Sequence, residues 1–196
     1  LSLLRMVAKH HFPIEVSAAA YKHINLSQRH IHNIIDDGQT VYSINTGFGA
    51  LAKVRIDPAD FETLQRNLIL SHATGIGRFM DDDIVRLILL LKINALAQGY
   101  SGVRREVIDF LIELYNREIY PCIPEKGSVG ASGDLAPLAH LSLPLIGAGQ
   151  VRVGGMLKDA RMEMKKQGLK PLQLAPKEGL ALINGTQVST ALALRG

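Results

Sequence analysis

The most distinctive chemistry in the sequence comes from three consecutive small residues, Ala131, Ser132 and Gly133, in a glycine-rich loop. Small residues let a backbone fold tightly on itself, and glycine has no Cβ to block an approaching atom. If the Gly133 amide nitrogen is pressed against the Ala131 carbonyl carbon, it can close a five-membered ring. Loss of one water from the ring and one from the Ser132 side chain then gives a 4-methylidene-imidazol-5-one. This group is a strong electrophile, and nearby backbone amides would stabilise the negative charge that its ring oxygen gains on attack.

The same loop has simpler interpretations. An Ala-Ser-Gly tripeptide is common in flexible loops, and Asp134 is suited to cap a helix that follows. The spacing of Gly127, Gly130 and Gly133 is G-x-x-G-x-x-G without a following Lys-Ser/Thr. It fits neither a P-loop nor the dinucleotide-binding fingerprint. The tripeptide by itself therefore leaves a plain flexible loop and a ring-forming loop open.

Four segments, taken in order, resemble motifs of the aromatic amino acid ammonia-lyases. They are residues 42–49 (YSINTGFG), 71–77 (SHATGIG), 127–140 (GSVGASGDLAPLAH) and 178–187 (EGLALINGTQ). The similarity is greatest to the histidine-specific branch of that family and extends over essentially the whole chain. Four long motifs in order form a specific pattern, so the resemblance favours ring formation.

The resemblance implies a carbon-nitrogen lyase that converts L-histidine to trans-urocanate and ammonia in histidine degradation. It implies that Ala131, Ser132 and Gly133 form the 4-methylidene-imidazol-5-one (MIO) cofactor autocatalytically, and no metal is expected. The electrophile is needed because the β proton of the substrate is only weakly acidic. In the family it bonds to the substrate at the amine or at the aromatic ring, and the sequence leaves both routes open.

Further site residues follow from the resemblance. Tyr42 matches the tyrosine that removes the β proton, and Asn184 matches an asparagine that hydrogen-bonds the substrate or the ring. His72 matches a residue that faces the aromatic ring of the substrate. Each also has a structural interpretation: an aromatic residue on a short strand, a turn residue and a partly buried histidine, respectively.

Two other functions compete with histidine deamination. One is a phenylalanine or tyrosine ammonia-lyase or aminomutase, against which the Ser71-His72 pair argues because it resembles the histidine-specific members. The other is a non-catalytic helical interaction module that keeps the fold alone. A metal site is not supported: His30 and His32 are two residues apart and do not share a helix face, and no Cys/His/carboxylate set has zinc spacing.

The elements that must position these residues show mainly helical periodicity. Apolar residues recur at helical spacing in residues 28–37, 57–68, 84–98, 103–119, 158–167 and from 177 onward. The segment Thr40–Ile44 is short and β-branched, which predicts a strand carrying Tyr42. Residues 151–157 predict a β-hairpin turning at Gly154-Gly155. We therefore expect a mainly α fold, the N-terminal part of the ammonia-lyase helical fold, with short β-strands and a β-hairpin near the prosthetic-group loop.

Composition restricts the partners. The chain has 196 residues, a net charge of +4, no Trp and 5 % aromatic residues, which leaves little surface for stacking nucleic-acid bases. Its longest apolar stretch, Ile84–Leu91, is interrupted by Arg86 and is shorter than the roughly 20 residues that a bilayer span needs. A single cysteine, Cys122, fits a reducing compartment. We therefore predict a cytoplasmic protein without a nucleic-acid or membrane partner.

The first and last residues of the sequence lead to an expectation about its length. The chain begins at Leu1 rather than Met, and a helical pattern runs on to Gly196. We expect residues 1–196 to be a truncated N-terminal portion of a longer, mainly helical enzyme, with no clear internal boundary. In the family, the remaining part supplies substrate-binding residues and most of the bundle through which four chains form a homotetramer. The 196-residue chain alone is therefore expected to be inactive, with residues 131–133 largely uncyclised.

Overall fold

The computed structural model describes residues 4, 6–7, 10–49, 54 and 56–195, so Leu1 and Gly196 lie outside the described part. The described chain is mainly helical, as expected. The helices are α1 (Ala18–Asp36), α2 (Phe61–His72), α3 (Asp82–Ala97), α4 (Arg105–Asn116), α5 (Leu135–Ser142), α6 (Ala160–Lys166), α7 (Glu178–Ile183) and α8 (Gln187–Arg195). The strands are β1 (Ile76–Phe79), β2 (Tyr120–Pro121), β3 (Pro124–Lys126), β4 (Gln150–Val153) and β5 (Met156–Asp159).

Helix α3 lies at the centre of the hydrophobic core. Its sequence is apolar nearly all round, and it packs against α1, α4 and α8. Residues such as Val85, Ile88 and Leu89 are fully buried, because a helix that is apolar on every side is stable only when it is covered on every side. A second group of contacts joins α2, α5 and α7. These three helices adjoin the segments that carry the candidate site residues.

The strands form two small antiparallel sheets. The predicted hairpin is present as β4 and β5, and Gly154 and Gly155 both have positive φ at its turn. Strand β2 extends this sheet by pairing with β4. The other sheet, β1 with β3, lacks a clear sequence signal and joins the segment after α2 to the start of the glycine-rich loop. Within the described ranges, no helix combines the length and hydrophobicity that a bilayer crossing requires.

The predicted strand Thr40–Ile44 is wrong, because these residues form a turn. The side chain of Asn45 replaces strand pairing: its Oδ1 accepts a hydrogen bond from the Val41 amide at 2.9 Å, and its Nδ2 donates to the Gln39 carbonyl. Ser43 has a φ of 65°, which a strand does not allow. The hydrogen bonds from the Asn45 side chain therefore stabilise a turn here, although the β-branched residues favour a strand.

The single helix predicted from Lys177 onward is divided into α7 and α8 by residues 184–186. The first turn of α7 is tied to α4 through Glu178, which is fully buried. The Glu178 carboxylate accepts hydrogen bonds from the amide, Nε and Nη2 atoms of Arg104 and from the amide of Ala175. This buried ion pair holds α7 in place, and with it the turn that carries Asn184.

Candidate functional site

The glycine-rich loop of residues 127–133 joins β3 to α5 at the surface. Ala131 and Ser132 are exposed, whereas Gly133 is half-buried. Gly133 has a φ of +98°, a backbone conformation that glycine adopts without steric cost and other residues do not. Ring closure requires a glycine as the attacking residue. The backbone conformation at position 133 independently favours glycine.

Gly133 lies directly against the turn between α7 and α8. A Cβ atom at position 133 would be 2.7 Å from the Gly185 carbonyl oxygen and 3.1 Å from the Gly185 nitrogen. The next residue is bonded to the same turn, since the Asp134 amide donates to the Gly185 carbonyl at 2.7 Å. The structure therefore brings the predicted ring precursor together with the segment of Asn184, an exposed residue that borders a cavity of about 340 Å³.

The side chain of Asp134 does not cap α5, which corrects the expectation from sequence. The buried carboxylate instead accepts hydrogen bonds from the Ser128 hydroxyl at 2.8 Å, the Ser189 amide at 2.8 Å and the Ser189 hydroxyl at 2.6 Å. Burial raises the pKa of Asp134, but the hydrogen bonds from Ser189, Ser128 and the Val188 amide outweigh that effect and leave the pKa below its ordinary value. Asp134 thus links the loop to the first turn of α8.

We predict that Asp134→Asn in the full-length protein lowers the free energy of unfolding at neutral pH by about 1.5–3 kcal/mol, the range for hydrogen bonds to a charged group. A carboxyl group whose pKa is depressed by folding stabilises the protein above its unfolded pKa of about 4, and this stabilisation is lost as the pH falls through the folded pKa. The difference between variant and wild type should therefore shrink in acid. Urea unfolding at neutral and acidic pH measures it.

Asp60→Asn is the matched control, because Asp60 is exposed and its side chain makes no capping hydrogen bond at α2. It should change the stability by less than about 0.5 kcal/mol, as is usual at such surface positions. Equal stability of Asp134→Asn and wild type at neutral pH would contradict a linking role for Asp134.

The segment after His72 is held against the base of the same loop. The Gly75 amide donates a hydrogen bond to Nε2 of His140 in α5 at 3.0 Å. A Cβ atom on Gly127 would lie 3.2 Å from the Gly75 Cα atom, so the two backbones touch. Nε2 can accept this bond only when it carries no proton, and burial lowers the pKa of His140, which favours the neutral ring.

His72 is the last residue of α2 and is half-buried. Its Nδ1 lies 2.8 Å from the Leu68 carbonyl oxygen and 3.2 Å from the Ser71 hydroxyl. Because a carbonyl oxygen only accepts, Nδ1 carries the proton, and in the neutral ring Nε2 is the acceptor nitrogen. The main chain of α2 therefore defines both the orientation of the imidazole and its tautomer.

Tyr42 is placed differently from the other candidates. The residue is 54 % exposed, and its ring lies edge-on to Phe48 with the centroids 6.3 Å apart. Among the described residues, no hydrogen bond joins Tyr42 to the 127–133 loop. In the described part of the chain, the contacts join Gly133 to the turn that carries Asn184 and the segment after His72 to the base of the loop, whereas the ring of Tyr42 contacts Phe48.

Sequence reasoning missed a buried lysine beneath the site. Lys92 in α3 is 1 % exposed, and its Nζ donates to the carbonyl oxygens of Ala181 at 2.7 Å and Asn184 at 2.9 Å. Burial lowers its pKa to about 7. The available signal was that Lys92 directly follows the uninterrupted apolar run Leu87–Leu91 in α3.

The described residues contain no group of three His, Cys, Asp or Glu side chains that could hold a metal ion. Cys122 is a buried free thiol whose pKa is raised to about 11, mainly by burial.

The comparison of sequences identifies relatives over the whole chain. A family model of aromatic amino acid lyases matches residues 1–196. The chain is 55 % identical to a histidine ammonia-lyase of Shewanella oneidensis and 56 % identical to one of Vibrio cholerae, in each case over all 196 residues. It spans 38 % of the length of these two relatives.

Solved structures show the same fold. Histidine ammonia-lyase from Trypanosoma cruzi matches with a TM-score of 0.90 and 38 % identity, covering 99 % of this chain and 37 % of that one. Phenylalanine aminomutase from Pantoea agglomerans matches with a TM-score of 0.91 and 35 % identity, covering 98 % of this chain and 37 % of that one. The four motifs, the helical architecture and these similarities agree, and the chain belongs to the aromatic amino acid lyase family.

Proposed function

We propose that the full-length protein containing this chain eliminates ammonia from L-histidine and releases trans-urocanate. The substrate assignment is supported by the relatives at about 55 % identity, which are histidine ammonia-lyases. The Ser71-His72 pair supports the same assignment, since it resembles the histidine-specific members. The observation that carries the chemistry is the close packing of Gly133 on Gly185, which leaves no room for a side chain beside the predicted precursor.

We propose that Ala131, Ser132 and Gly133 condense to a 4-methylidene-imidazol-5-one. The residues fit this group: the backbone at Gly133 needs glycine, and Ser132 supplies the hydroxyl that leaves as water. Once formed, the group would supply an electrophile that activates the substrate for loss of ammonia. The contacts from Gly185 to Gly133 and Asp134 hold the carboxyl end of the precursor against a fixed turn.

The other candidate residues act on the substrate. Tyr42 is proposed as the base that takes the β proton, His72 as the residue that faces the imidazole ring of the substrate, and Asn184 as a hydrogen-bonding partner beside the cavity. The exposed side chain of Tyr42 is available to a substrate. We further propose a homotetramer in the cytoplasm acting in histidine degradation, without nucleic-acid or membrane partners.

A substrate comparison tests this function. Purified full-length protein should release urocanate and ammonia from L-histidine, with at least about a hundredfold lower kcat/KM for L-phenylalanine and L-tyrosine, because a site built to hydrogen-bond an imidazole loses those bonds with an apolar or phenolic ring. Ultraviolet absorbance of the unsaturated product follows the reaction. Similar or greater kcat/KM on phenylalanine or tyrosine, or formation of a β-amino acid, would instead support the lyase or aminomutase alternative.

A further inference from the structure

A buried lysine, Lys92, lies under the turn that joins α7 to α8. It belongs to α3 in the centre of the core and is 1 % exposed. Within the described part of the chain, no carboxylate lies at ion-pair distance from its Nζ. A lysine is seldom fully buried without a charged partner, so the contacts that it does make must account for its position.

Those contacts are two main-chain oxygens at the carboxyl end of α7. Nζ donates to the carbonyl of Ala181 at 2.7 Å and to that of Asn184 at 2.9 Å. The last carbonyls of a helix lack partners within the helix and carry the negative end of its dipole. An ammonium group there satisfies both oxygens, and a neutral amine still has two N–H groups for the same two bonds.

The turn held by Lys92 is the one on which the glycine-rich loop rests. The carbonyl of Asn184 is bonded to Lys92, and the carbonyl of the next residue, Gly185, is bonded to the amide of Asp134. Gly133 packs on the same Gly185 peptide. A continuous set of contacts thus runs from the core, through the turn, to the residue whose amide must attack for the ring to close.

We propose that Lys92 is a positioning residue for the prosthetic-group precursor and for Asn184. Its two hydrogen bonds keep the Asn184–Gly185 turn from moving away, so that Gly133 stays pressed toward Ala131. In the step that it assists, the Gly133 nitrogen bonds to the Ala131 carbonyl carbon. The carbonyl oxygen leaves as water with the amide hydrogens of Gly133 and Ser132, which leaves a double bond between the Ala131 carbon and the Ser132 nitrogen. The Ser132 hydroxyl leaves with the Ser132 α hydrogen as a second water, which forms the exocyclic carbon–carbon double bond. This inference rests on the proposed function, because it concerns the same loop.

Intact mass of the full-length protein tests the proposal, because the matured chain is lighter by two waters. Lys92→Met keeps the length of the side chain and removes every donor. With both hydrogen bonds lost, it should acquire the mass deficit at least about tenfold more slowly than wild type, which corresponds to about 1.4 kcal/mol in the barrier, with an unchanged circular dichroism spectrum. Lys92→Arg retains N–H donors and should mature faster than Lys92→Met.

Lys158→Met is the matched control. Lys158 in β5 is half-buried and its Nζ lies 3.2 Å from the Glu163 carboxylate, and it belongs neither to α7 and α8 nor to the glycine-rich loop. Its replacement should leave maturation unchanged. If Lys92→Met does not fold, Lys92→Gln is the second variant: its shorter side chain keeps N–H donors but holds them farther from the two carbonyls, so it should mature more slowly than Lys92→Arg.

The outcomes separate this proposal from the function on which it rests. Maturation of a folded Lys92→Met protein at the wild-type rate overturns the positioning role and leaves the lyase function intact. Failure of Lys92→Met, Lys92→Gln and Lys92→Arg to fold would also overturn it, since Lys92 would then serve the whole core rather than the turn. Absence of the mass deficit in the wild type, together with absence of urocanate, would refute the proposed function itself.

Discussion

Replacement of Ser132 by alanine is expected to abolish the lyase activity of the full-length protein. Alanine has no hydroxyl to leave as the second water, so the exocyclic double bond of the electrophile cannot form. Removal of an essential catalytic group costs on the order of 10⁴–10⁶-fold in kcat, and we expect a loss in that range. The intact mass of the variant should show at most one lost water, while the wild type shows two.

The matched control for this variant is Ser17→Ala, a serine-to-alanine change remote in sequence from the loop. Ser17 caps α1 by accepting a hydrogen bond from the Ala20 amide at 3.2 Å. Its replacement should cost about 1 kcal/mol of stability and leave both lost waters and the activity in place. If Ser132→Ala releases urocanate like wild type, the electrophile is not the catalyst. If neither protein has any activity and neither has lost water, the non-catalytic helical module becomes the better account.

A second large effect is expected from Gly133→Ala, which should block maturation and destabilise the loop. The φ of +98° is unfavourable for alanine, by roughly 1–2 kcal/mol on the scale of left-handed conformations. In addition, the new Cβ would lie 2.7 Å from the Gly185 carbonyl oxygen, so the backbone of either segment must move. That movement separates the attacking nitrogen from the turn that holds it, and the two-water mass deficit should disappear.

Gly130→Ala is the control that has an unfavourable positive φ but no steric clash with a neighbouring residue. Gly130 lies in the same loop with a φ of +67°, and a Cβ at this position would meet no atom within 4 Å. It should lower the thermal unfolding temperature slightly and still mature. Equal maturation of Gly133→Ala and Gly130→Ala would mean that the contact with Gly185 has no part in ring formation.

The sequence predicted the helices and turns that are specified by residues close together along the chain. The apolar period of α3, the Gly154-Gly155 hairpin turn and the end of α1 before Gly38 are all present in the structure. Such signals are reliable because the residues that specify them are neighbours along the chain. The strand predicted at Thr40–Ile44 failed because Asn45 supplies hydrogen bonds to the main chain that composition does not reveal.

For the candidate site, the sequence by itself determined the family, through four ordered motifs, and the residue types of the loop at Ala131, Ser132 and Gly133. Only the tertiary structure decided which of these segments touch. It placed Gly133 on Gly185, turned the Asp134 carboxylate toward Ser189 instead of the start of α5, and set Lys92 beneath the turn. These contacts join residues far apart along the chain, and their geometry depends on how the helices pack, which no local pattern encodes.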